Sequence, residues 1–242
     1  MSKSMKRLVL IGCAHSGSKF ANITDLMAYV DLAKDPNTSL LILGDLFENA
    51  IPSRGEGMVW DQSLTPDDQI DEVYNVLNPV KHKIIGACTS NHSARTYKEV
   101  GIDMDKQLYK RLGVSHVYKE LEGVVAFAGK KIAFAHGNGS GVNPWGDAKK
   151  LLVIYPDVDI IAVSHRHEMT AAWHGNFRTD SLGRKNKHYV LMVRTGGLMD
   201  WARYAKAELY SPQKPGFAIL YFPNGEETRV DINGLPILKP LL

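Results

Sequence analysis

Apolar residues fall along this chain in short unbroken runs rather than in long amphipathic stripes. Leu8–Ile11, Leu40–Leu43, Lys83–Cys88, Val124–Ala128, Lys131–Ala135 and Asp159–Val163 each hold a few apolar positions, and most stop at a polar or glycine-containing cluster. Runs of that length predict buried strands. His188–Arg194, Phe217–Phe222 and Thr228–Ile232 add further candidates, so the second half is the more strand-rich.

Helical spacing appears between the runs. Thr65-Pro66-Asp67-Asp68 precedes Ile70, Val73, Val76 and Leu77, placing an N-cap, a first-turn proline and two acids at the positive end of the helix dipole. Asn22–Ala33 and Asp105–Leu112 read as helices, with Trp145–Tyr155 a weaker candidate. Strands alternating with helices predict an α/β protein, a layered sandwich of mixed sheets flanked by helices. Residues 1–242 are expected to form a single domain, because no repeat or linker divides them. Asn176–His188, carrying Arg178, Arg184, Lys185 and Lys187, reads as a polar, basic loop or hairpin tip.

Composition narrows the classes. With 29 basic against 26 acidic residues, the net charge of +3 is too small for a dedicated nucleic-acid or membrane binder, so any charge-driven partner must use a local patch. Two cysteines, Cys13 and Cys88, give no disulfide framework and fit a reducing compartment. Lys3, Lys6 and Arg7 imitate the start of a secretory signal, but the apolar run after them is far too short. No stretch is long enough for a membrane span, and a cytoplasmic location is expected.

The candidate chemistry lies at the ends of the strand runs. His15 follows Leu8–Ile11, Asp45 follows Leu40–Leu43, Asn91 and His92 follow Ile84–Cys88, His136 follows Ile132–Ala135, and His165 and His167 follow Ile160–Val163. Side chains at the carboxyl ends of strands are where α/β sheets place ligands. Imidazole nitrogen mixed with carboxylate and amide oxygen suits Mn, Fe or Zn better than Mg or Ca, which implies a transition-metal pair.

In order, Cys13-Ala14-His15, Gly44-Asp45-Leu46-Phe47-Glu48, Ser90-Asn91-His92-Ser93, His136-Gly137 and Ser164-His165-Arg166-His167 resemble the motifs of the calcineurin-like metallophosphoesterases. The resemblance spans residues 8 to 167. It implies hydrolysis of phosphoesters by a water activated between two divalent ions. One ion would be held by Cys13, His15, Asp45 and His167, the other by Asp45, Asn91, His136 and His165, with Asp45 bridging. It implies that His92 protonates the leaving oxygen and that Glu48 orients His92. Cys13 departs from the family's aspartate and would tilt its site toward Zn or Fe. Ser90, Ser93 and Ser164 are milder departures.

Arg95 and Arg166 are the nearest candidates for a phosphate clamp. The glycine-rich stretch from Gly137 to Gly141 would let backbone approach a substrate, or merely connect. Trp145, Trp173, Trp201 and Tyr204 could stack on a base but are more often core or rim, and give no evidence for nucleotides. The first expectation is a phosphodiesterase of nucleic acid or nucleotides, favoured by the basic segment Arg178–Lys187. A phosphomonoesterase of proteins or small molecules, and a non-catalytic phosphate-binding module with a degenerate metal site, are the alternatives.

Overall fold

The computed structural model describes residues 5–52, 59, 61–138, 143, 145–200, 206, 211–223 and 227–232. Strands β1 (Lys6–Ile11), β2 (Thr38–Ile42) and β3 (Ile84–Cys88) pair in parallel, and helices α1 (Ile23–Asp31) and α2 (Pro66–Leu77) lie between them in the chain. Helices α3 (Ser93–Val100) and α4 (Met104–Arg111) follow, then the short strand β4 (Tyr118–Lys119). The antiparallel pair β5 (Glu122–Phe127) and β6 (Lys130–Ala135), helix α5 (Gly146–Ile154), and strands β7 (Ile160–Val163), β8 (Thr170–Thr179) and β9 (Lys185–Arg194) come next. Strands β10 (Ile219–Phe222) and β11 (Arg229–Asp231) return to the first sheet.

The strands form two mixed sheets, ordered β11-β10-β1-β2-β3-β4 and β5-β6-β7-β9-β8. Three apolar clusters give the layering. Leu8, Leu10, Leu41, Phe134, Leu191 and Leu220 meet between the sheets. Val9, Ile11, Leu40 and Ile42 face the other way, onto Leu26, Val73 and Leu108 of α1, α2 and α4. Ile161, Val163, Val190 and Met192 of the second sheet pack on Ala148 and Leu151 of α5. A central strand is therefore buried on both faces, which is why its sequence reads as an unbroken apolar run. The expected α/β sandwich of two mixed sheets flanked by helices is the architecture found.

Helix starts follow their caps. The Thr65 hydroxyl accepts the Asp68 N–H at 3.2 Å, Asn22 caps α1 through the Asp25 N–H at 3.0 Å, and Asp103 caps α4 through the Lys106 N–H at 2.9 Å. Among the described residues no helix is long and apolar enough to cross a membrane.

One helix was not anticipated, and one local expectation needs correction. Helix α3 begins directly after His92 and stops at Gly101, whose φ of 72° closes its last turn. The segment Asn176–His188 is not one loop: Asn176–Thr179 completes β8, Lys185–His188 opens β9, and only residues between them form the turn. Trp201, Tyr204 and Gly139–Gly141 lie outside the described residues.

Candidate metal centre

The carboxyl ends of β1, β2, β3, β6 and β7 converge, and their following loops are laced together by backbone hydrogen bonds. Cys13 N–H donates to Gly44 O at 3.0 Å, His15 N–H to Asp45 O at 3.0 Å, and Ser164 N–H to His136 O at 3.0 Å. Gly44 is required where these loops meet. Its φ is +79°, and a Cβ there would come within 2.8 Å of the Ser90 Cβ and 3.0 Å of His136 Nδ1.

The donor atoms gather at two foci. At the first, the Nε2 atoms of His15 and His167 face each other at 3.1 Å, and the Cys13 Sγ shares a group with them in which all ligand atoms lie within 4.8 Å of one another. At the second, His136 Nε2 is 2.9 Å from Asn91 Oδ1, 3.0 Å from Asp45 Oδ2 and 3.2 Å from His165 Nδ1. Cys13, Asp45 and His136 form a further compact group that joins the foci. A third compact group, His15, Asp45 and His92, brings Asp45 beside the first focus as well.

Hydrogen bonding fixes the tautomers. Leu43 O, which can only accept, lies 2.6 Å from His136 Nδ1, so that nitrogen carries the proton and a neutral His136 turns a lone pair on Nε2 into the second focus. The lone pair meets Asp45 and Asn91 oxygens, acceptor against acceptor. A second proton on His136 would serve one of these atoms; a cation serves all of them. At the first focus His15 Nδ1 donates to Glu48 Oε2 at 3.1 Å, which leaves its Nε2 lone pair toward His167. The donor set fits a cation at each focus.

At the first focus the electrostatics agree. Burial lowers His15 to about 4 and His167 to about 3, overriding the pull of Asp45, so both present neutral imidazole. Burial would raise Asp45, but His136 and His92 beside it hold it well below the usual carboxylate range. His136 is the exception among the imidazoles: burial disfavours its charge, yet Asp45 and the Leu43 carbonyl keep it raised. Burial, followed by the Asp45 charge, pushes the Cys13 thiol up. Its Sγ sits 3.1 Å from the Ser164 hydroxyl.

Backbone strain concentrates in the same place. Among the described residues other than glycine, positive φ occurs at Cys13 (54°), His15 (51°), Asp45 (50°), His165 (78°) and His167 (57°), and elsewhere only at Asn49 and Ala128.

His92 is buried beside His15 and Asp45, 7 % exposed. Its N–H donates to Asp45 Oδ1 at 3.2 Å, and its Nδ1 donates to the Glu48 carbonyl at 2.6 Å. Arg95 Nη1 donates to the same carbonyl at 2.8 Å, while its Nη2 lies 3.2 Å from His92 Nε2. Glu48 therefore holds His92 by its backbone, whereas its carboxylate reaches His15; the His92 ring is 4.0 Å from that carboxylate. Burial raises Glu48 to about 7 against the opposing charges of His92 and Arg95. Arg166 is half-buried between His165 and His167.

Sequence reading missed Asn49 and Gln69. Both are fully buried, Asn49 Nδ2 donates to His92 O at 2.7 Å, and Gln69 Oε1 accepts the Asn49 N–H at 2.9 Å. The only available signal was an asparagine in a loop, a residue that tolerates the left-handed region its φ of 44° occupies. The basic residues Arg178, Arg184, Lys185 and Lys187 are not part of this centre. Strand β8 runs from Thr170, opposite Arg194 at the metal end, to Thr179 at the far end of the sheet, roughly 30 Å away.

Two facing mixed sheets with this donor cluster at their strand ends define the class: the chain has the calcineurin-like metallophosphoesterase fold. Among solved structures it is similar to vacuolar protein sorting 29 from Cryptosporidium parvum, with 14% identity, a TM-score of 0.51, and 94% of this chain and 96% of that chain covered. It is also similar to a novel archaeal phosphodiesterase, at 12% identity and a TM-score of 0.49 over 93% of this chain and 99% of that one. A conserved predicted phosphoesterase from Streptococcus pneumoniae matches at 11% identity and a TM-score of 0.48, over 95% and 90% of the two chains. No family model and no curated protein matches the sequence.

Proposed function

We propose that this chain is a dinuclear-metal-dependent phosphoester hydrolase, a phosphodiesterase acting on nucleic acid or nucleotides. The observation that carries the reading is the pair of donor foci joined through Cys13 and Asp45. Cys13, His15, Asp45 and His167 would hold one divalent ion, and Asp45, Asn91, His136 and His165 the other, as Mn, Zn or Fe. Such a pair supplies Lewis acidity toward phosphoryl oxygens and lowers the pKa of water.

The chain's own groups do the rest. Asp45 takes His92 by its N–H, so the acid is tied to the metal-binding loop. The Glu48 carbonyl fixes one proton of His92 on Nδ1, so Nε2 would pass to the leaving oxygen a second proton taken from solvent, against burial that lowers His92 to about 4. Arg95, already beside that nitrogen, is placed to take a phosphoryl oxygen with its fork of donors. Its Nη1 stays on the Glu48 carbonyl while Nη2 turns to substrate. The free, buried cysteines fit work in a reducing compartment, the cytoplasm.

The test is a metal-by-substrate matrix comparing bis-p-nitrophenyl phosphate with p-nitrophenyl phosphate. Preference for the diester under Mn or Zn is expected; preference for the monoester would move the protein to the phosphomonoesterases. One observation favours a second reading, a non-catalytic phosphate-binding module: the Cys13 thiol is pushed up by burial, which opposes thiolate at the first focus. Phosphate binding without turnover under every divalent metal would favour that reading instead.

A further inference from the structure

The β8–β9 hairpin has the polarity of an ordinary surface ribbon reversed. Register puts Trp173, Gly175, Phe177 and Thr179 of β8 on the same face as Leu191, Tyr189, Lys187 and Lys185 of β9. Leu191 belongs to the core between the sheets, so this is the inner face continued past the point where the first sheet covers it. Beyond that point the rings stand in solvent: Trp173 is 46%, Tyr189 59% and Phe177 62% exposed. The opposite face of β8, with His174, Asn176 and Arg178, is half-buried. Exposed rings backed by half-buried polar groups are the kind of departure that marks a binding surface.

The rings form a row. Residues two apart on a strand are about 7 Å apart, so Trp173 and Phe177 are about 13 Å apart, with position 175 between them. That middle position is a glycine, and the Tyr189 ring opposite lies 3.9 Å from where its Cβ would be. Tyr189 thus occupies the place in the row that Gly175 leaves open. At the row's inner end is a cavity of about 340 Å³ lined by Trp173, Tyr189, Lys187, Lys130, Asp159 and Glu227.

Charge on this face is not the charge of the whole basic segment. Arg184 is paired with Asp180 at 2.8 Å, and Arg178 lies on the opposite face, with Asp159 at 3.6 Å and the Asp157 carbonyl. Lys185 and Lys187 remain beside the rings, and among the described residues no ion pair ties them down. Lysine is depleted from the cores of protein–protein interfaces, whereas rings interleaved with lysine match a polyanion that also carries stackable faces.

We propose that this face of the hairpin binds single-stranded nucleic acid, with bases stacking on Trp173, Tyr189 and Phe177 and phosphates meeting Lys185 and Lys187. The proposal deepens the nucleic-acid part of the functional reading but uses none of the metal-centre residues. Fluorescence anisotropy of a labelled oligothymidylate with the full chain, in a chelator to prevent hydrolysis, tests it. Phe177→Ala and Tyr189→Ala should each weaken binding about tenfold, since ring removal costs on that order per base. Lys185→Gln with Lys187→Gln should lower the slope of log affinity against log salt by about 1.4, from roughly 0.7 per phosphate contact on a single strand. Melting curves unchanged from wild type establish that these exposed positions altered binding rather than folding.

Absence of binding at low salt, or binding indifferent to the ring variants, overturns the proposal. So does a wild-type dimer in sedimentation that the ring variants convert to monomer, which would give the face to a second copy of the chain. Hydrolysis of bis-p-nitrophenyl phosphate by the same variants should match wild type. Loss of oligonucleotide binding with that hydrolysis intact in wild type would sink this inference alone, and binding without any hydrolysis would sink the functional reading alone.

Discussion

The two ends of the five-stranded sheet break opposite rules of burial. At the carboxyl ends of β6 and β7, polar side chains are packed away from water, His136 at 4% and Ser164 at 1% exposure, in company with Asp45 at 2%. At the other end, β8 and β9 put Phe177 and Tyr189 into solvent. Buried polar groups must be repaid by partners, and the donor foci provide them mutually or with a cation. Exposed rings forfeit roughly 1.5–3 kcal/mol each that a cover would return. Each violation fits a ligand, and the proposed ligands differ: a cation at one end, a dissociable polymer at the other.

The comparison can be broken most violently at Asp45. Asp45→Asn should empty both foci together, read as metal content by elemental analysis; full occupancy in that variant would remove the bridging role. His92→Ala should leave the metals in place and lower turnover by ~10²–10⁴. If metal is lost as well, His92 is a ligand. Cys13→Asp comes next. In cobalt(II)-substituted protein the near-ultraviolet thiolate charge-transfer band should vanish and metal use broaden toward Mn or Mg, while a wild-type protein lacking the band would mean that Cys13 only packs. Ser164→Ala, which removes the 3.1 Å contact to Cys13 Sγ, should weaken cobalt binding about tenfold and keep the band.

The smallest expected effect is at Asp105, beneath β3. Burial raises its carboxyl to about 7. The folded protein then holds that proton more tightly than the unfolded chain. The stability it contributes is therefore whole below about pH 4 and is lost as pH rises through about 7. Asp105→Asn should melt higher relative to wild type at pH 8 than at pH 4; an equal offset at both would assign the effect to packing.

How much of this was legible depended on whether a side chain's place is set by strand periodicity or by loop backbone. His15, Asp45, His136 and His165 follow apolar runs closely, and parallel pairing puts the first two at one edge of the six-stranded sheet and the last two at one edge of the five-stranded sheet. Sequence order alone could carry that far. It could not show that the Glu48 carboxylate turns to His15 and only its carbonyl to His92, because that depends on how the loop after β2 folds back over Gln69. Strand β8 was missed for another reason. Ala171-Ala172-Trp173-His174-Gly175-Asn176-Phe177-Arg178 lacks a continuous apolar run, and its large apolar residues face solvent, so the usual inside-out pattern is reversed.

The positive φ angles at Cys13, His15, Asp45, His165 and His167 carry one more consequence. Each holds an L-residue in a conformation costing on the order of 1–3 kcal/mol, which glycine would adopt freely. Glycine at any of them would relieve that strain but would also remove the side chain's contacts. The native chain is thus poised uphill at five backbone positions along the strand ends.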